Sequence, residues 1–493
     1  MKVLLTLSLL TFTTNTVIAQ SCGCSTMLES LITKTESNYA GFIHKVKEQD
    51  STSYIKLKAQ VRKEAIPISF DNCFSILDRY VSFFKDGHLF VFESPASPTP
   101  KQSDSIALQL LRYATPTQFE KAINPQKNVD AIVGTWQNTD YKMAVIKKDA
   151  THFEAVVLNS KIEKWKPGMV KMEIEKNEEG NYNIALYRND FAKIHFNNVH
   201  IYKNVVLPFG NYRFIKTSPE NAELNYVNAN NPQLPILKPI DKDNVLLTIP
   251  SALINGAYLD SLLQRYEKEI NTAQNLIIDI RGNLGGNFIW GKLYDIANTV
   301  IVPPKIDPKE DYFFMLASED NATYFANFST YYKQQKDTAG IQYYDSLATA
   351  IKRNIGSILK FSYYNPFPDT ATRVVQAFPK KIAIIMDKGV GSAAEAFVLW
   401  MKENSSRVVF YGDNTYGMID YQNINMVPFG CKENTTYYFG YPTLFSKDIK
   451  TNPLNPTGIK PDIYIPQKTA DAIKWVLKDL AKKNNLALNN KKD

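Results

Sequence analysis

The segment MDKGVGSAAEAF, residues 386–397, places a serine between small residues where an apolar stretch ends. The apolar stretch predicts a strand and the residues after Ser392 predict a helix, so the serine would stand at their junction. A serine there can cap the helix, and Glu395 completes the capping-box pattern. It can also be a nucleophile, provided that a base and an oxyanion site lie nearby. Taken alone, the segment favours the cap.

Backbone N–H groups near Ser392 could stabilise the oxyanion that a nucleophilic attack creates. The first turn of a helix has free N–H groups and the positive end of the helix dipole, so Ala393 would supply one donor. The turn RGNLGGN could supply the second, because glycine lets a backbone N–H approach a substrate closely. Gly285 or Gly286 is the candidate. The turn matches neither the Walker nor the full dinucleotide-binding pattern.

Two strand, glycine-turn and helix units would position these residues. NLIIDI precedes the first glycine turn and KIAIIMD precedes the second, and both predict buried strands. Each turn would open at the carboxyl end of its strand, where sites in α/β sheets tend to lie. Residues 303–378 between the units form an aromatic-rich insertion, expected to be part helix and part lid.

The regions before these units have different patterns. The N-terminal one is expected to be mainly helical, with an Asp-Gly stop and a short strand in FKDGHLFVFES. The next alternates apolar and polar residues, which predicts a small antiparallel barrel or curled sheet with Trp136 and Trp165 in its core or rim. The expected division is a signal peptide at 1–19, a helical region at 20–128, a β module at 129–220, an α/β catalytic domain at 240–470, and a helix end with a basic tail at 471–493.

The first residues, MKVLLTLSLLTFTTNTVIA, have the basic start, apolar core and small-residue end of a cleaved signal peptide. The expected location is therefore periplasmic or extracellular, with a lipid anchor on Cys22 as the weaker alternative. No later run reaches the roughly 20 apolar residues of a membrane span. In an oxidising compartment Cys22 or Cys24 would pair with Cys73, and Cys431 is the candidate for a free thiol.

Charge and cysteine spacing argue against other classes of function. The formal net charge of +8 is spread along the chain and concentrates only at the C-terminus, which does not predict a nucleic-acid surface. The four cysteines lack the spacing of a metal site, and neither a metal nor a cofactor is expected.

Four segments in one order, NLIIDIRGNLGGN, IAIIMDKGVGSAAEAF, VVFYGDNTYG and NPTGIKPDIYIP, carry a family resemblance. Over roughly residues 244–467 the chain resembles the serine peptidases that include the tail-specific (C-terminal processing) proteases and the tricorn core protease. The resemblance implies a crotonase-like β/α spiral, Ser392 as nucleophile, and Ala393 with the Gly285–Gly286 turn as oxyanion hole. It also implies peptide or protein substrates. The N-terminal segment SCGCSTMLESLITKTESNYAGF and the DGH segment resemble secreted members from Bacteroidetes-type bacteria.

The chain departs from this family at the base. The tail-specific branch takes a lysine from a TYGKG-like segment, whereas this chain has TYGMID with Met418 at that position. A thioether cannot accept a proton at neutral pH, which excludes a Ser-Lys dyad there. The tricorn-like branch takes a histidine from an N-terminal segment, and His88 in FKDGHL resembles that motif. A structural histidine at a helix end is the alternative.

Two further departures concern the group that orients the base and the way substrate is recognised. Asn455 stands near the place of the tricorn-like glutamate, and an amide cannot stabilise an imidazolium as a carboxylate does. Asp86, Asp420 or Glu395 could substitute, although Glu395 fits better as the cap partner. No PDZ-like glycine-rich loop precedes residue 244, so recognition of a free C-terminus is not implied.

Two functions remain after the sequence is read. One is a secreted serine-type endopeptidase in which His88 activates Ser392. The other is a catalytically weak or inactive peptide- or ligand-binding protein on the same scaffold, which Met418 and Asn455 would suit. The retention of both Ser392 and His88 favours the peptidase.

Overall fold

The computed structural model describes residues 22–113, 130–301, 312–364 and 374–489, apart from positions 204, 220, 229, 230 and 432. The predicted signal peptide lies outside the described residues. The α-helices are α1 Cys24–Asn38, α2 Ser51–Ala65, α3 Phe74–Ser82, α4 Pro100–Leu110, α5 Gly256–Arg265, α6 Glu267–Ile270, α7 Gly291–Ala297, α8 Glu319–Gln334, α9 Thr338–Arg353, α10 Ala393–Asn404 and α11 Ala472–Asn489.

Three sheets accompany these helices. Their strands are β1 Phe90–Pro95, β2 Gly134–Gln137, β3 Tyr141–Lys147, β4 His152–Ser160, β5 Val170–Lys176, β6 Tyr182–Tyr187, β7 Lys193–Val199, β8 Val206–Phe209, β9 Tyr212–Ser218, β10 Ile236–Pro239, β11 Asn244–Thr248, β12 Asn275–Asp279, β13 Phe313–Leu316, β14 Ile358–Phe361, β15 Lys381–Met386, β16 Val408–Gly412, β17 Tyr421–Phe429, β18 Thr435–Ser446 and β19 Ile463–Tyr464.

The N-terminal region is mainly helical, as the apolar spacing predicts. The helical pattern of residues 26–48 is interrupted, because α1 ends at Asn38 and the chain resumes as a π-helix over Ile43–Gln49. Helix α3 ends before the Asp-Gly stop and the chain then enters β1, as predicted. The buried faces of α1 and α3 pack in one core with aromatic residues of β17 and β18.

Two disulfides link this region to itself and to the end of β17. Cys24 pairs with Cys73, which is one of the two pairings that the sequence left open. Cys22 pairs with Cys431, so the expectation of a free thiol at Cys431 is wrong. The physical reason is tertiary: α1 packs against the β17–β18 hairpin, and the hairpin turn that carries Cys431 therefore lies beside the start of α1.

Strands β2–β9, Gly134–Ser218, form one eight-stranded antiparallel sheet, called here the β module. Its order is β7-β6-β5-β4-β3-β2-β9-β8, a meander whose last two strands pair beside β2. Trp136 and Trp165 are 0% and 2% exposed, which puts both in the core of the module.

The second sheet has the order β10-β11-β12-β15-β16-β19, with every pair after β10–β11 parallel. Alternate residues of β12 and β15 point into two different apolar cores, one on each face of the sheet. This explains why NLIIDI and KIAIIM read as continuous apolar runs. The carboxyl ends of β12 and β15 lie side by side, since Asp279 is in register with Ile385.

The third sheet, of order β1-β18-β13-β14 with β17 also paired to β18, joins the N-terminal region to the insertion. Helices α8 and α9 connect β13 to β14, which confirms the helical part of the predicted insertion. In the described segments, no helix is long and apolar enough to cross a membrane.

Candidate active site

Ser392 lies in the short turn between β15 and α10, at the N-cap position of the helix. Its backbone has φ 53° and ψ −123°, angles that a non-glycine residue adopts rarely and at a cost of about 1–3 kcal/mol. The Ser392 N–H donates to the Glu395 carboxylate at 3.3 Å, so the predicted cap partner is in place. An N-cap residue normally has extended angles, so capping alone does not explain the strain.

The glycine turn after β12 contacts the Ser392 turn directly. Gly285 has φ +89°, and a Cβ there would lie 2.7 Å from the backbone nitrogen of Ala393. The Gly285 N–H donates to Asn283 Oδ1 at 3.0 Å and is therefore occupied. Within the described residues, the N–H groups of Ala393 and Gly286 donate to no other group. The N–H groups of Ala393, next to the serine, and of Gly286, next to Gly285, are thus not engaged.

His88 is 4% exposed and follows the Asp-Gly stop. Its Nδ1 lies 2.5 Å from the carbonyl oxygen of Tyr421. A carbonyl oxygen only accepts hydrogen bonds, so Nδ1 must carry the proton and Nε2 has a lone pair in the neutral ring. The backbone N–H of His88 donates to Asp86 Oδ1, and Tyr39 donates its hydroxyl to the other oxygen of that carboxylate. Asp86 therefore holds the main chain of this segment.

The side chain of Met418 lies between the His88 and Ser392 segments. A Cβ added to Gly87 would be 2.8 Å from Met418 Cε, and one added to Gly391 would be 2.6 Å from the same atom. Met418 is 5% exposed. Met418 is thus a buried apolar spacer in contact with both segments.

Glu395 is fully buried and accepts four hydrogen bonds. Besides the Ser392 N–H, its carboxylate receives Thr415 Oγ1 at 2.6 Å, Gly417 N at 2.7 Å and Met418 N at 2.9 Å. Burial raises its pKa, and these donors act in the opposite direction. Glu395 therefore joins the nucleophile turn to the loop that carries Met418, and its hydrogen bonds do not go to His88.

Asn455 also engages groups other than the imidazole. Its Oδ1 accepts from Lys45 Nζ at 2.8 Å, and its Nδ2 donates to the carbonyl oxygen of Lys85 at 3.2 Å. Lys45 donates as well to the carbonyl oxygen of Phe84 at 2.7 Å. The Asp420 carboxylate accepts from the Asn455 N–H. Asn455 and Lys45 thus support the main chain that leads to His88. The His88 ring itself is oriented by its contact with the Tyr421 carbonyl.

Sequence reasoning missed two residues that hold the turns together. Asn283 is completely buried; its carbonyl accepts from Gly391 N at 3.0 Å and its Nδ2 donates to Ile249 O at 3.0 Å. Asp387 Oδ1 accepts from both Gly282 N and Gly389 N at 2.9 Å. Their positions inside RGNLGGN and MDKGVG were the available signal, because polar residues in glycine turns often bond the local backbone.

Below the glycine turn lies a buried ionic network. Arg281 makes two contacts to Asp279 at 2.9 Å and two to Glu223 at 2.8 and 3.1 Å. Lys203 from the β module adds a third contact to Asp279, at 2.8 Å. Burial alone would raise the pKa of Asp279, but the two cations hold it below its ordinary value. Arg281 and Asp279 therefore form the structural ion pair, and they hold the turn.

Over the described ranges, no group of three or more His, Cys, Asp or Glu side chains could hold a metal ion.

Residues 245–465 match the family model described as Peptidase family S41. Mature CPAF complexed with lactacystin has a similar structure, with a TM-score of 0.47 and 13% identity over 95% of this chain and 99% of that chain. For the photosystem II D1 C-terminal processing protease the TM-score is 0.34 and the identity is 11%, over 91% of this chain and 95% of that chain. For the tricorn protease the TM-score is 0.38 and the identity is 12%, over 94% of this chain and 37% of that chain. All three TM-scores lie below 0.5.

A search of curated proteins found no match. The family match agrees with the resemblance carried by the four sequence motifs and includes both glycine turns. Residues 245–465 of this chain therefore match peptidase family S41, in agreement with the resemblance of its sequence motifs.

Proposed function

We propose that this protein is an exported serine-type endopeptidase with Ser392 as nucleophile and His88 as general base. The observation that carries the proposal is the backbone strain of Ser392 at the end of a parallel strand. A strained turn between a strand and a helix is the arrangement that exposes a nucleophile in other serine hydrolases. Strain of this kind persists where function requires it.

The groups around Ser392 support an acyl-transfer reaction. His88 Nε2 takes the proton of the Ser392 hydroxyl while Oγ attacks the peptide carbonyl carbon. The tetrahedral intermediate collapses as the imidazolium gives this proton to the leaving amine, and an acyl-enzyme remains. Water, deprotonated by the same nitrogen, then hydrolyses the ester and regenerates the serine. The carboxylic acid product and the amine product together account for the cleaved bond and the added water.

The oxyanion would be held by the N–H groups of Ala393 and Gly286. Both are free in the described structure and both belong to turns at the carboxyl ends of neighbouring strands. Donors that are fixed before the reaction stabilise the developing charge without reorganisation, and one such donor contributes roughly 10²–10³ in rate. Gly285 would serve by letting the two turns approach.

The proposal also includes the fold of the catalytic domain and the location of the protein. The parallel strand order and the two strand, turn and helix units support a crotonase-like β/α spiral for the catalytic domain, with the β module before it. The two disulfides support an oxidising compartment outside the cytoplasm. Because Cys22 is already in a disulfide, the same sulfur could not also carry a lipid, which supports a periplasmic or extracellular protein without that anchor.

A fluorophosphonate probe tests the mechanism directly, because it phosphonylates an activated serine. The purified protein should be labelled, Ser392→Ala should not be labelled, and His88→Ala should react at least about 10³-fold more slowly. His152→Ala is the matched control, because His152 is 56% exposed and lies on the β module. It should react at the wild-type rate.

Two results would contradict the proposal. A wild-type protein that neither reacts with the probe nor cleaves unfolded proteins is not a serine peptidase. If His88→Ala is labelled at the wild-type rate, His88 is not the general base.

Peptide binding without hydrolysis is the second candidate, and one observation favours it. The ring of His88 is oriented by a backbone carbonyl, which stabilises an imidazolium less than a carboxylate does. A protein that fails to react with the probe but binds extended peptides, as measured by calorimetry with a peptide library, would support this alternative.

A further inference from the structure

We propose that the β module is a working part of the active site, in which Arg213 and Tyr202 are positioning residues for the oxyanion turn. This inference rests on the proposed peptidase function. Both residues come from the β8–β9 end of the module and reach the glycine turn after β12. Gly282 in that turn is one of the points of contact between the module and the catalytic domain.

Arg213 on β9 holds the carbonyl group of Gly282. Its guanidinium donates to that oxygen at 2.7 Å, and the side chain is 7% exposed. This burial lowers the pKa of Arg213 to about 10. A buried cation is retained at a cost, so a single well-placed hydrogen bond from it to a catalytic turn points to positioning.

Tyr202 packs on the glycines of both turns. A Cβ on Gly282 would lie 3.4 Å from Tyr202 Cβ, and one on Gly389 would lie 2.4 Å from Tyr202 Cε1 and 2.7 Å from Gly282 Cα. Any side chain at Gly389 would therefore collide with the ring. The glycines that let these turns approach each other also accommodate an aromatic ring from the module.

The contact at Gly282 continues to the proposed catalytic groups. The Gly282 N–H is held by Asp387, which also holds Gly389 N in the nucleophile turn. The next residue, Asn283, accepts from Gly391 N and from Gly285 N. The residue that follows Gly282 therefore bonds the residues that precede Ser392 and the proposed donor Gly286.

Lys203 strengthens the same junction. Its ammonium reaches Asp279 at the end of β12, and both side chains are almost fully buried. The module thus binds the turn at two places. Lys203 pairs with Asp279 at the start of the turn, and Arg213 bonds the carbonyl of Gly282. A donor that must lie within about 0.5 Å of its productive position requires support of this kind.

Loss of this support should slow the chemical step more than it weakens binding, because the turn supplies a donor to the transition state. The test uses saturation kinetics of inactivation by the fluorophosphonate probe, which separates the maximal rate from the half-saturating concentration. Arg213→Met should lower the maximal rate at least tenfold and leave the half-saturating concentration within twofold. Arg213→Lys, which restores a cationic donor, should recover the rate to within about threefold of wild type.

Arg188→Gln is the matched control. Arg188 lies in the same module and pairs with Asp190, and within the described residues it has no hydrogen bond to either glycine turn. Its loss should leave both kinetic constants unchanged. Equal thermal unfolding midpoints for the variants would show that the rate, and not the folded fraction, has changed.

Tyr202→Leu is the second variant, used if Arg213→Met does not fold. It removes the ring from both glycines and should lower the maximal rate at least fivefold. A folded Arg213→Met or Tyr202→Leu protein that reacts at the wild-type rate overturns the inference and leaves the proposed function intact. A wild-type protein that does not react at all overturns both.

Discussion

The Nδ1 atom of His88 lies 2.5 Å from the carbonyl oxygen of Tyr421, and this contact determines which nitrogen of the ring can act as a base. Tyr421 is the first residue of β17, which follows the loop that carries Met418. The strand and the Asp-Gly-His segment come from opposite ends of the chain and meet in one core. A backbone carbonyl cannot be removed by a side-chain substitution, so the tautomer is built into the fold.

The tautomer of His88 can be observed by NMR. In a ¹⁵N-labelled protein at neutral pH, the neutral His88 ring should be protonated at Nδ1 and unprotonated at Nε2, because only Nδ1 faces the Tyr421 carbonyl. Ser392→Ala should keep the same tautomer. Detection of protonated Nε2 with free Nδ1 would contradict the assignment of the base.

Gly285→Ala should reduce the rate of probe labelling about 100-fold or more. An added methyl group would lie 2.7 Å from Ala393 N and from the carbonyl oxygen of Gly391, which are backbone atoms that cannot move independently. Gly180→Ala is the control, because Gly180 has φ +85° and nothing within 4 Å of the added Cβ. It should cost about 1–2 kcal/mol of stability and leave labelling unchanged. Equal labelling of the two variants would refute the packing of the turns.

Glu395→Gln should destabilise the protein by about 2–4 kcal/mol and lower labelling at least tenfold. The substitution turns one acceptor oxygen into an N–H donor that faces groups which themselves donate. Urea unfolding and labelling kinetics measure the two effects. Glu403→Gln is the control, because Glu403 is an exposed residue of the same helix. It should change neither the stability nor the labelling rate by more than experimental error. Similar effects of the two substitutions would show that Glu395 acts only through its charge.

Lys171→Met should stabilise the β module more at low pH than at high pH. Lys171 is 1% exposed, and burial lowers its pKa from 10.5 to about 7. Below about pH 7 the lysine is charged in both the folded and unfolded states, so the full cost of burying the charge is present. As pH rises toward 10.5 the unfolded lysine also loses its proton and the cost disappears.

The Lys171→Met gain should therefore be about 2–4 kcal/mol at pH 6 and about 1 kcal/mol at pH 9.5. This figure allows for the contacts of the ammonium with the rings of Trp165 at 3.9 Å and Tyr141 at 4.3 Å, which offset part of the cost. Urea unfolding at the two pH values measures it. The exposed Lys147→Met is the control and should change stability by less than about 0.5 kcal/mol at either pH. A gain that grows with pH would reverse the sign and contradict the assignment.

The amino-acid sequence alone determined the local units of the site. The apolar runs of β12 and β15, the glycine turns after them and the helix after Ser392 were all readable, because strand burial, turn chemistry and helix starts depend on neighbouring residues. The positions of Ser392 and Ala393 at a strand-to-helix junction followed from the same patterns. The resemblance of roughly residues 244–467 to a serine peptidase family rested on four motifs, two of which contain these units.

Only the tertiary structure decided which distant groups meet at those units. The sequence offered Asn455, Asp86, Asp420 and Glu395 as partners for His88. The ring instead contacts the Tyr421 carbonyl, and Asn455 contacts Lys45. The pairing of Cys22 with Cys431 was missed for the same reason. Backbone carbonyls have no signature in a sequence, and contacts between residues hundreds of positions apart depend on how whole elements pack.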